Sequence, residues 1–170
     1  MTVWSGAGVL GAFAVTLGIG MAHARAQDVC GQFTWSVGEK IDLFTGYVPT
    51  FKSGQGLPKD GVYAVDLLPG KEVLFFLDPD RSRRQGFGAV VTIENVPSGR
   101  FRIAITEEAR LDAIQDNALL PVQPVGYDPA CPSIRFAVEV NAEDGPLTIQ
   151  ISGANRPWIR VGVARIWSFE

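Results

Sequence analysis

Three runs between residues 134 and 163, in which apolar and polar residues alternate, constrain the fold more than any other feature of the chain. Their apolar members are Ile134, Phe136, Val138 and Val140, then Leu147, Ile149 and Ile151, and finally Ile159, Val161 and Val163. A period of two puts these side chains on one face of an extended chain, so each run predicts a half-buried strand. Turn-forming residues, Asp144-Gly145 and Gly153-Ala154-Asn155, separate the runs. We therefore expect the three strands to pair as antiparallel neighbours.

The same alternation occurs in the upstream part of the chain. It predicts further strands at residues 33–37, 63–67, 73–77, 89–93 and 101–105. Residues 39–60 are predicted to form a packed loop with a helical turn near Lys40 to Phe44, and residues 78–86 an exposed polar loop. Gln123 to Pro132, which contain three prolines, are predicted to form another loop. Together these patterns predict an all-β fold, a single antiparallel β-sandwich.

Residues 106–120 are compatible with two structures. Thr106 followed by Glu107 and Glu108 is typical of a helix start, and Pro121 would end such a helix. Alternatively, Asp116-Asn117 is a two-residue turn between two short strands. We favour the hairpin, because an all-β fold must pair or cover its sheet edges, and the helix remains the alternative.

The first 26 residues have the features of a cleaved secretory signal. Val9 to Met21 is an apolar run that is short for a membrane span, and Ala22-His23-Ala24 and Ala24-Arg25-Ala26 have the small residues that signal peptidase requires. We therefore expect a signal peptide at residues 1–26, one β-sandwich domain at residues 27–170, and a periplasmic or secreted location without stable membrane insertion. The alternative is an uncleaved anchor.

Charge and cysteine content narrow the function classes further. The chain has 15 Lys and Arg against 18 Asp and Glu, and loss of Arg25 with the signal leaves a net charge of about −4. This acidic balance argues against nucleic acid as a partner. Cys30 and Cys131 are the two cysteines, and in an exported chain they predict one disulfide that closes a loop of about 100 residues. Free thiols or a catalytic cysteine are the alternative.

Five short motifs of turn and strand residues are spread over most of the chain beyond residue 26. They are Cys30 with Trp35, Gly99-Arg100-Phe101, Asp112 to Asn117, Cys131-Pro132-Ser133-Ile134-Arg135, and Ile149 to Ala154. This set resembles a family of small exported bacterial proteins of uncharacterised function, whose members often carry the name homogentisate 1,2-dioxygenase. The resemblance implies a sandwich similar to pre-peptidase C-terminal domains or to carbohydrate-binding jelly rolls. Because the motifs are structural, it implies a fold and no activity.

The residue content argues against most catalytic chemistry. His23 is the only histidine and lies in the signal, so triads with an imidazole base and iron sites with two imidazoles are excluded from the mature chain. Asp78 and Asp80 have the spacing of calcium ligands, but the arginines that follow them would repel a cation. We therefore expect no catalytic residue, no metal site and no cofactor.

Two features are candidate partner sites. Arg81, Arg83 and Arg84 could bind an anionic partner, because guanidinium groups suit carboxylate and phosphate oxygens. Trp158, beside Pro157 at the end of a loop, could be an exposed stacking surface. We expect a non-catalytic envelope module that binds an unknown protein or glycan. The alternative is a small hydrolase or lyase that uses a carboxylate pair, such as Asp78 with Asp80, on envelope polysaccharide.

Overall fold

The computed structural model describes Met1 and residues 44–127 and 133–166. These residues form an all-β structure with a short 3-10 helix at Arg83–Gln85. The strands are β1 (Thr50–Lys52), β2 (Gly56–Leu57), β3 (Gly61–Asp66), β4 (Leu68–Pro69), β5 (Phe87–Val96), β6 (Gly99–Ile105), β7 (Arg110–Gln115), β8 (Ala118–Leu120), β9 (Val122–Tyr127), β10 (Phe136–Ala142), β11 (Gly145–Ala154) and β12 (Trp158–Ile166).

The strands form two mixed sheets. Sheet A has the order β1-β3-β12-β6-β10-β9, and sheet B has the order β2-β5-β11-β7-β8, with β4 also paired to β5. β1 is parallel to β3, and β2 is parallel to β5. The expectation of a purely antiparallel fold is therefore wrong at these two edges. The chain passes from β1 in sheet A to β2 in sheet B before it returns to β3, so β1 and β3 meet without a hairpin between them.

A single apolar cluster contains residues of both sheets. Val65, Phe101 and Val161 of sheet A and Val91 and Ile149 of sheet B all belong to it, and each is at most 1% exposed. Along these strands the period of two correctly predicted which side chains face this core. Ile134 is an exception: it was predicted to share a face with Phe136, Val138 and Val140, but it precedes β10 and packs in a different cluster.

The expected pairing among the last three strands is wrong. β10 pairs with β6 and β9, β11 pairs with β5 and β7, and β12 pairs with β3 and β6. The chain therefore changes sheets after Ala142 and again after Ala154. Alternation specifies the buried face of a strand, but it does not specify the sheet that the strand joins.

A glutamine supports the first of these sheet changes. Gln115, at the end of β7, donates from Nε2 to the Glu143 carbonyl at 2.9 Å and accepts from the Glu143 amide at 2.9 Å. Asp144 adds a bond, since its Oδ1 accepts from the Ser98 amide at 2.8 Å. These hydrogen bonds satisfy backbone groups at the point where the chain leaves sheet A. The turn between β10 and β11 is therefore a corner, at which the chain passes from one sheet to the other, and not a hairpin.

The outer face of sheet A carries a second apolar cluster. Phe44, Val48 and Ile134 pack there against small side chains that include Ala104 and Ala137. The Phe44 ring lies directly over Gly162 of β12, where a Cβ atom would collide with it. Phe44 is 3% exposed, so the described part of the 39–60 segment is packed as predicted, although β1 and β2 within it were not predicted.

The segment between β4 and β5 covers the outer face of sheet B. Residues 73–77 do not form the predicted strand. Instead, the side chain of Gln150 on β11 accepts from the amides of Phe76 at 2.9 Å and Leu77 at 3.0 Å and donates to the Leu77 carbonyl at 2.8 Å. An extended segment that lies flat on a sheet buries every second side chain, as a strand does. The alternation of buried Val73 with exposed Leu74 therefore has this origin.

The prediction for residues 106–120 is confirmed. β7 and β8 form a hairpin, and both turn residues have positive φ, 51° at Asp116 and 61° at Asn117. Residues 123–127 of the predicted loop are instead part of β9 despite Pro124, because β9 is an edge strand of sheet A. The signal peptide, the strand at 33–37, Cys30 and Cys131 lie outside the described residues.

Candidate binding groove beside strand β7

A pocket of about 660 Å³ lies beside the first half of β7. We call it the β7 groove. Residues from sheet B, from sheet A and from the loop before β5 line it, including Arg83, Arg110, Leu111, Asp112, Val122 and Phe136. This volume lies in the range of pockets that hold small molecules or several side chains of a peptide.

The groove exists because β8 is shorter than β7. β8 pairs only with the last three residues of β7, Ala113 to Gln115. After Leu120 the chain leaves sheet B, and Val122 already belongs to β9 in sheet A. On the β8 side, β7 from Arg110 to Asp112 therefore has no strand partner among residues 44–127 and 133–166.

The two sides of the groove differ in chemistry because β7 alternates. Leu111 belongs to the core between the sheets, and partly buried Val122 and Phe136 pack against the same core. Arg110 and Asp112 point to the opposite side of β7, where Arg110 Nε donates to both carboxylate oxygens of Asp112 at 2.8 and 2.9 Å. One side of the groove is thus apolar and the other is charged.

The Asp112 carboxylate is buried beneath its arginine. Its side chain is 7% exposed, whereas that of Arg110 is 45% exposed. Arg83, on the same groove, faces Asp80 in a similar way, with Nε 3.4 Å from Oδ2 and 41% of its side chain exposed. Both arginines therefore meet their internal carboxylates through Nε, and their terminal nitrogens make no hydrogen bond within the described residues.

The three arginines predicted from the sequence have different environments. Of these, only Arg83 lines the groove. Arg84 binds Asp78, with Nε 2.6 Å and a terminal nitrogen 2.5 Å from Oδ1, and lies over the Phe75 ring. Arg81 is exposed and has no ion pair with a described residue. The polar loop is therefore partly neutralised by its own aspartates and is not a continuous basic patch.

Asp80 is held in its ionised form. The hydroxyl of Ser82, which donates to Oδ1 at 2.5 Å, is the main cause that lowers the pKa of Asp80, and the Arg83 amide adds to the effect. A carboxyl group that acts as a general acid needs a raised pKa. Asp80 therefore serves as a loop contact and lacks the raised pKa of an acid catalyst.

Trp158 is exposed, as the sequence indicated. It is the first residue of β12, is 47% exposed and stands opposite Asp66 of β3 in the register of sheet A. It does not line the β7 groove. The two predicted partner features, the arginine loop and the tryptophan, are therefore not parts of one site.

Comparison with known proteins adds no family and no fold relative. No protein-family model, curated protein or solved structure matches this chain. Function must therefore be argued from the chemistry of the site.

Two general features of the described residues concern metal binding and membrane insertion. Across 44–127 and 133–166, no group of three or more His, Cys, Asp and Glu is placed to hold a metal ion. In the same ranges, no helix is long and apolar enough to cross a bilayer.

A second charged site was missed because its carboxylate is on an outward strand face. Glu139 of β10 binds both Arg100 and Arg102 of β6, and its side chain is only 8% exposed. Arg100 also donates to Gln123 at 3.3 Å beside a pocket of about 500 Å³. A carboxylate on an outward strand face is normally solvated, whereas the two arginines cover this one.

The groove residues on β7 could have been found from the sequence. Arg110 and Asp112 are two apart on a predicted strand, a spacing that puts opposite charges on one face. Val122 and Phe136 are the apolar residues of the groove, and they lie beside β7 only because the chain crosses from β8 in sheet B to β9 in sheet A. No local sequence pattern predicted that crossing. As a whole, the groove offers an apolar side, two cations and a free strand edge, which is an arrangement for binding.

Proposed function

We propose that the protein is an exported, non-catalytic β-sandwich module that binds a partner protein in the cell envelope through the β7 groove. The observation that carries this proposal is the groove itself, where apolar residues and partly exposed arginines converge at an unpaired strand edge. Protein partners commonly use such edges, because the backbone supplies hydrogen bonds and pockets select alternate side chains.

The sandwich architecture is part of this proposal. Two sheets that contribute residues to one apolar cluster support it, because stacked sheets bury their facing side chains between them. Repeated crossing between the sheets, as at the corner held by Gln115, is compatible with a jelly-roll or a pre-peptidase C-terminal-like arrangement.

Binding fits the groove better than polysaccharide cleavage does. Glycoside hydrolysis requires two carboxyl groups that flank a substrate, one of them a proton donor. In the groove, Asp112 is buried against Arg110, which favours a structural role for this carboxylate. Arg83 and Arg110 expose more of their side chains than Asp112 does, so they can contact a ligand, and Glu108 adds an exposed carboxylate to the lining of the groove.

Site-specific photo-crosslinking in intact cells tests this proposal. A photoreactive amino acid replaces Asn155, an exposed residue that lines the groove, or Asn95, an exposed residue at the far end of β5 as the matched control. We expect a discrete adduct with another protein from position 155 and none from position 95. Equal adducts from both positions, or none from position 155, would contradict the proposal.

A further inference from the structure

The backbone at the free edge of β7 can accept another strand. In a two-residue hairpin the residues that flank the turn form a hydrogen-bonded pair, here Gln115 with Ala118. Hydrogen-bonded pairs alternate along an antiparallel ladder, so Gln115, Ala113 and Leu111 direct their backbone groups toward the β8 side. Gln115 and Ala113 meet Ala118 and Leu120, but no described residue stands opposite Leu111 on this side.

The surroundings of Leu111 determine which side chains an added strand would need. A residue directly opposite Leu111 would point to the core side of β7, toward Val122 and Phe136. The residues before and after it would point to the other side, toward Arg83 and Arg110. The groove therefore suits a segment in which an apolar residue stands between two residues that arginine can bind.

The arginines indicate that these flanking residues are acidic. Each guanidinium carries five N–H donors, and Arg83 and Arg110 contact Asp80 and Asp112 through Nε. The terminal nitrogens are the pair that grips a carboxylate with two parallel hydrogen bonds. Side-chain exposures of 41% and 45% leave them accessible from the groove.

We propose that the β7 groove binds an extended peptide of a partner protein by strand addition at Leu111, with an apolar residue facing Val122 and Phe136 and acidic residues facing Arg83 and Arg110. This inference rests on the proposed function and names the partner's chemistry. The partner strand continues the line of β8 along β7, so sheet B gains backbone hydrogen bonds beyond Leu120.

The direct test uses an eight-residue peptide of alternating Val and Glu with the mature full-length protein. We expect saturable binding by fluorescence anisotropy, and we expect the Leu111 amide to exchange quickly in the free protein and slowly once the peptide is bound. Methylating the peptide amides removes the donors that strand addition needs, so the methylated peptide should not bind. Binding that methylation leaves unchanged would overturn strand addition.

Arginine variants test the charge assignment. Arg110→Gln and Arg83→Gln should each weaken binding of the Glu peptide by about tenfold, because a charge-assisted hydrogen bond is lost. A peptide with Gln in place of Glu should bind more weakly, and neither substitution should change its affinity. Arg156→Gln, at a loop arginine paired with Glu107, is the matched control and should have no effect. Equal losses for both peptides would overturn the acidic assignment.

The remaining outcomes separate this inference from the proposed function. A crosslink from position 155 without peptide binding would overturn strand addition and leave the partner-binding groove in place. Absence of both would overturn both. Slow exchange of the Leu111 amide before peptide is added would show that the edge is already filled, either by residues 33–37, by another part of this chain or by a second copy. That result would overturn the proposal that a partner's peptide binds there. Displacement of the peptide by an acidic oligosaccharide that protects no Leu111 amide would assign the groove to glycans.

Discussion

Ser152 of β11 bears the one buried side-chain oxygen among the described residues that has no hydrogen-bond partner. The residue is fully buried, lies opposite Arg110 in the register of sheet B and precedes Gly153 of the groove. A buried hydroxyl without a partner costs about 1–3 kcal/mol relative to water. Ser152 is therefore a weak point in an otherwise well-satisfied sheet.

We expect Ser152→Ala to raise the stability by about 1 kcal/mol, because Ala removes the unsatisfied hydroxyl and keeps the backbone pairing. For a domain of this size, the melting temperature should rise by roughly 2–6 °C in calorimetry. The control is Thr148→Val, four residues earlier on the same strand. Thr148 shares a hydrogen bond of 3.1 Å with Thr92, so its loss should lower the melting temperature. A fall for Ser152→Ala would mean that the hydroxyl has a partner in solution.

Glu139 shows the limit of sequence reasoning at the scale of one residue. Alternation correctly placed its side chain away from the central core, and a charged residue on such a face is normally solvated. Its burial comes from Arg100 and Arg102, which stand on β6. Only the register between β10 and β6, where Glu139 faces Arg102, brings these charges together. A single sequence does not contain that register.

At the scale of elements, Gln150 joins β11 to the loop that covers sheet B. Its side chain is 1% exposed and makes three hydrogen bonds with the backbone of Phe76 and Leu77. These bonds take the place of a strand neighbour for residues 73–77. They also explain why this loop lies flat on the sheet.

We expect Gln150→Ala to destabilise the protein by about 2–3 kcal/mol, since three hydrogen bonds are lost and the buried end of the loop is left unsatisfied. The loop should detach before the rest unfolds, so limited proteolysis should cleave between residues 78 and 86 faster than in the wild type. Gln85→Ala, in the same exposed loop, is the control and should be cleaved at the wild-type rate. Unchanged proteolysis of Gln150→Ala would show that other contacts hold the loop.

Strands were easier to predict than their partners. β5, β6, β11 and β12 were predicted because their apolar residues alternate, and the β7–β8 hairpin because Asp116-Asn117 tolerates positive φ. The corner between β10 and β11 was predicted to be a hairpin. Gln115 lies 28 residues before Glu143 in the chain, so no local pattern reveals that its amide diverts the chain into sheet B.

At the scale of the whole molecule, the second apolar cluster holds together residues that are far apart in the chain. Phe44 precedes β1 and Ile134 precedes β10, and both pack on the outer face of sheet A in the same cluster. Cys30 lies 14 residues before Phe44, and Cys131 lies three residues before Ile134.

We predict that Cys30 and Cys131 form a disulfide in the exported protein, because two cysteines in an exported chain most simply form one bond. A bond across about 100 residues would stabilise the fold by up to ~4.7 kcal/mol, because it restricts the unfolded chain. Alkylation of denatured, unreduced protein should modify neither cysteine, and a reductant should lower the melting temperature by roughly 5 °C or more. The Cys30→Ser/Cys131→Ser double variant is the control, and reductant should not change its melting temperature. Labelling of both thiols without reduction would contradict the bond.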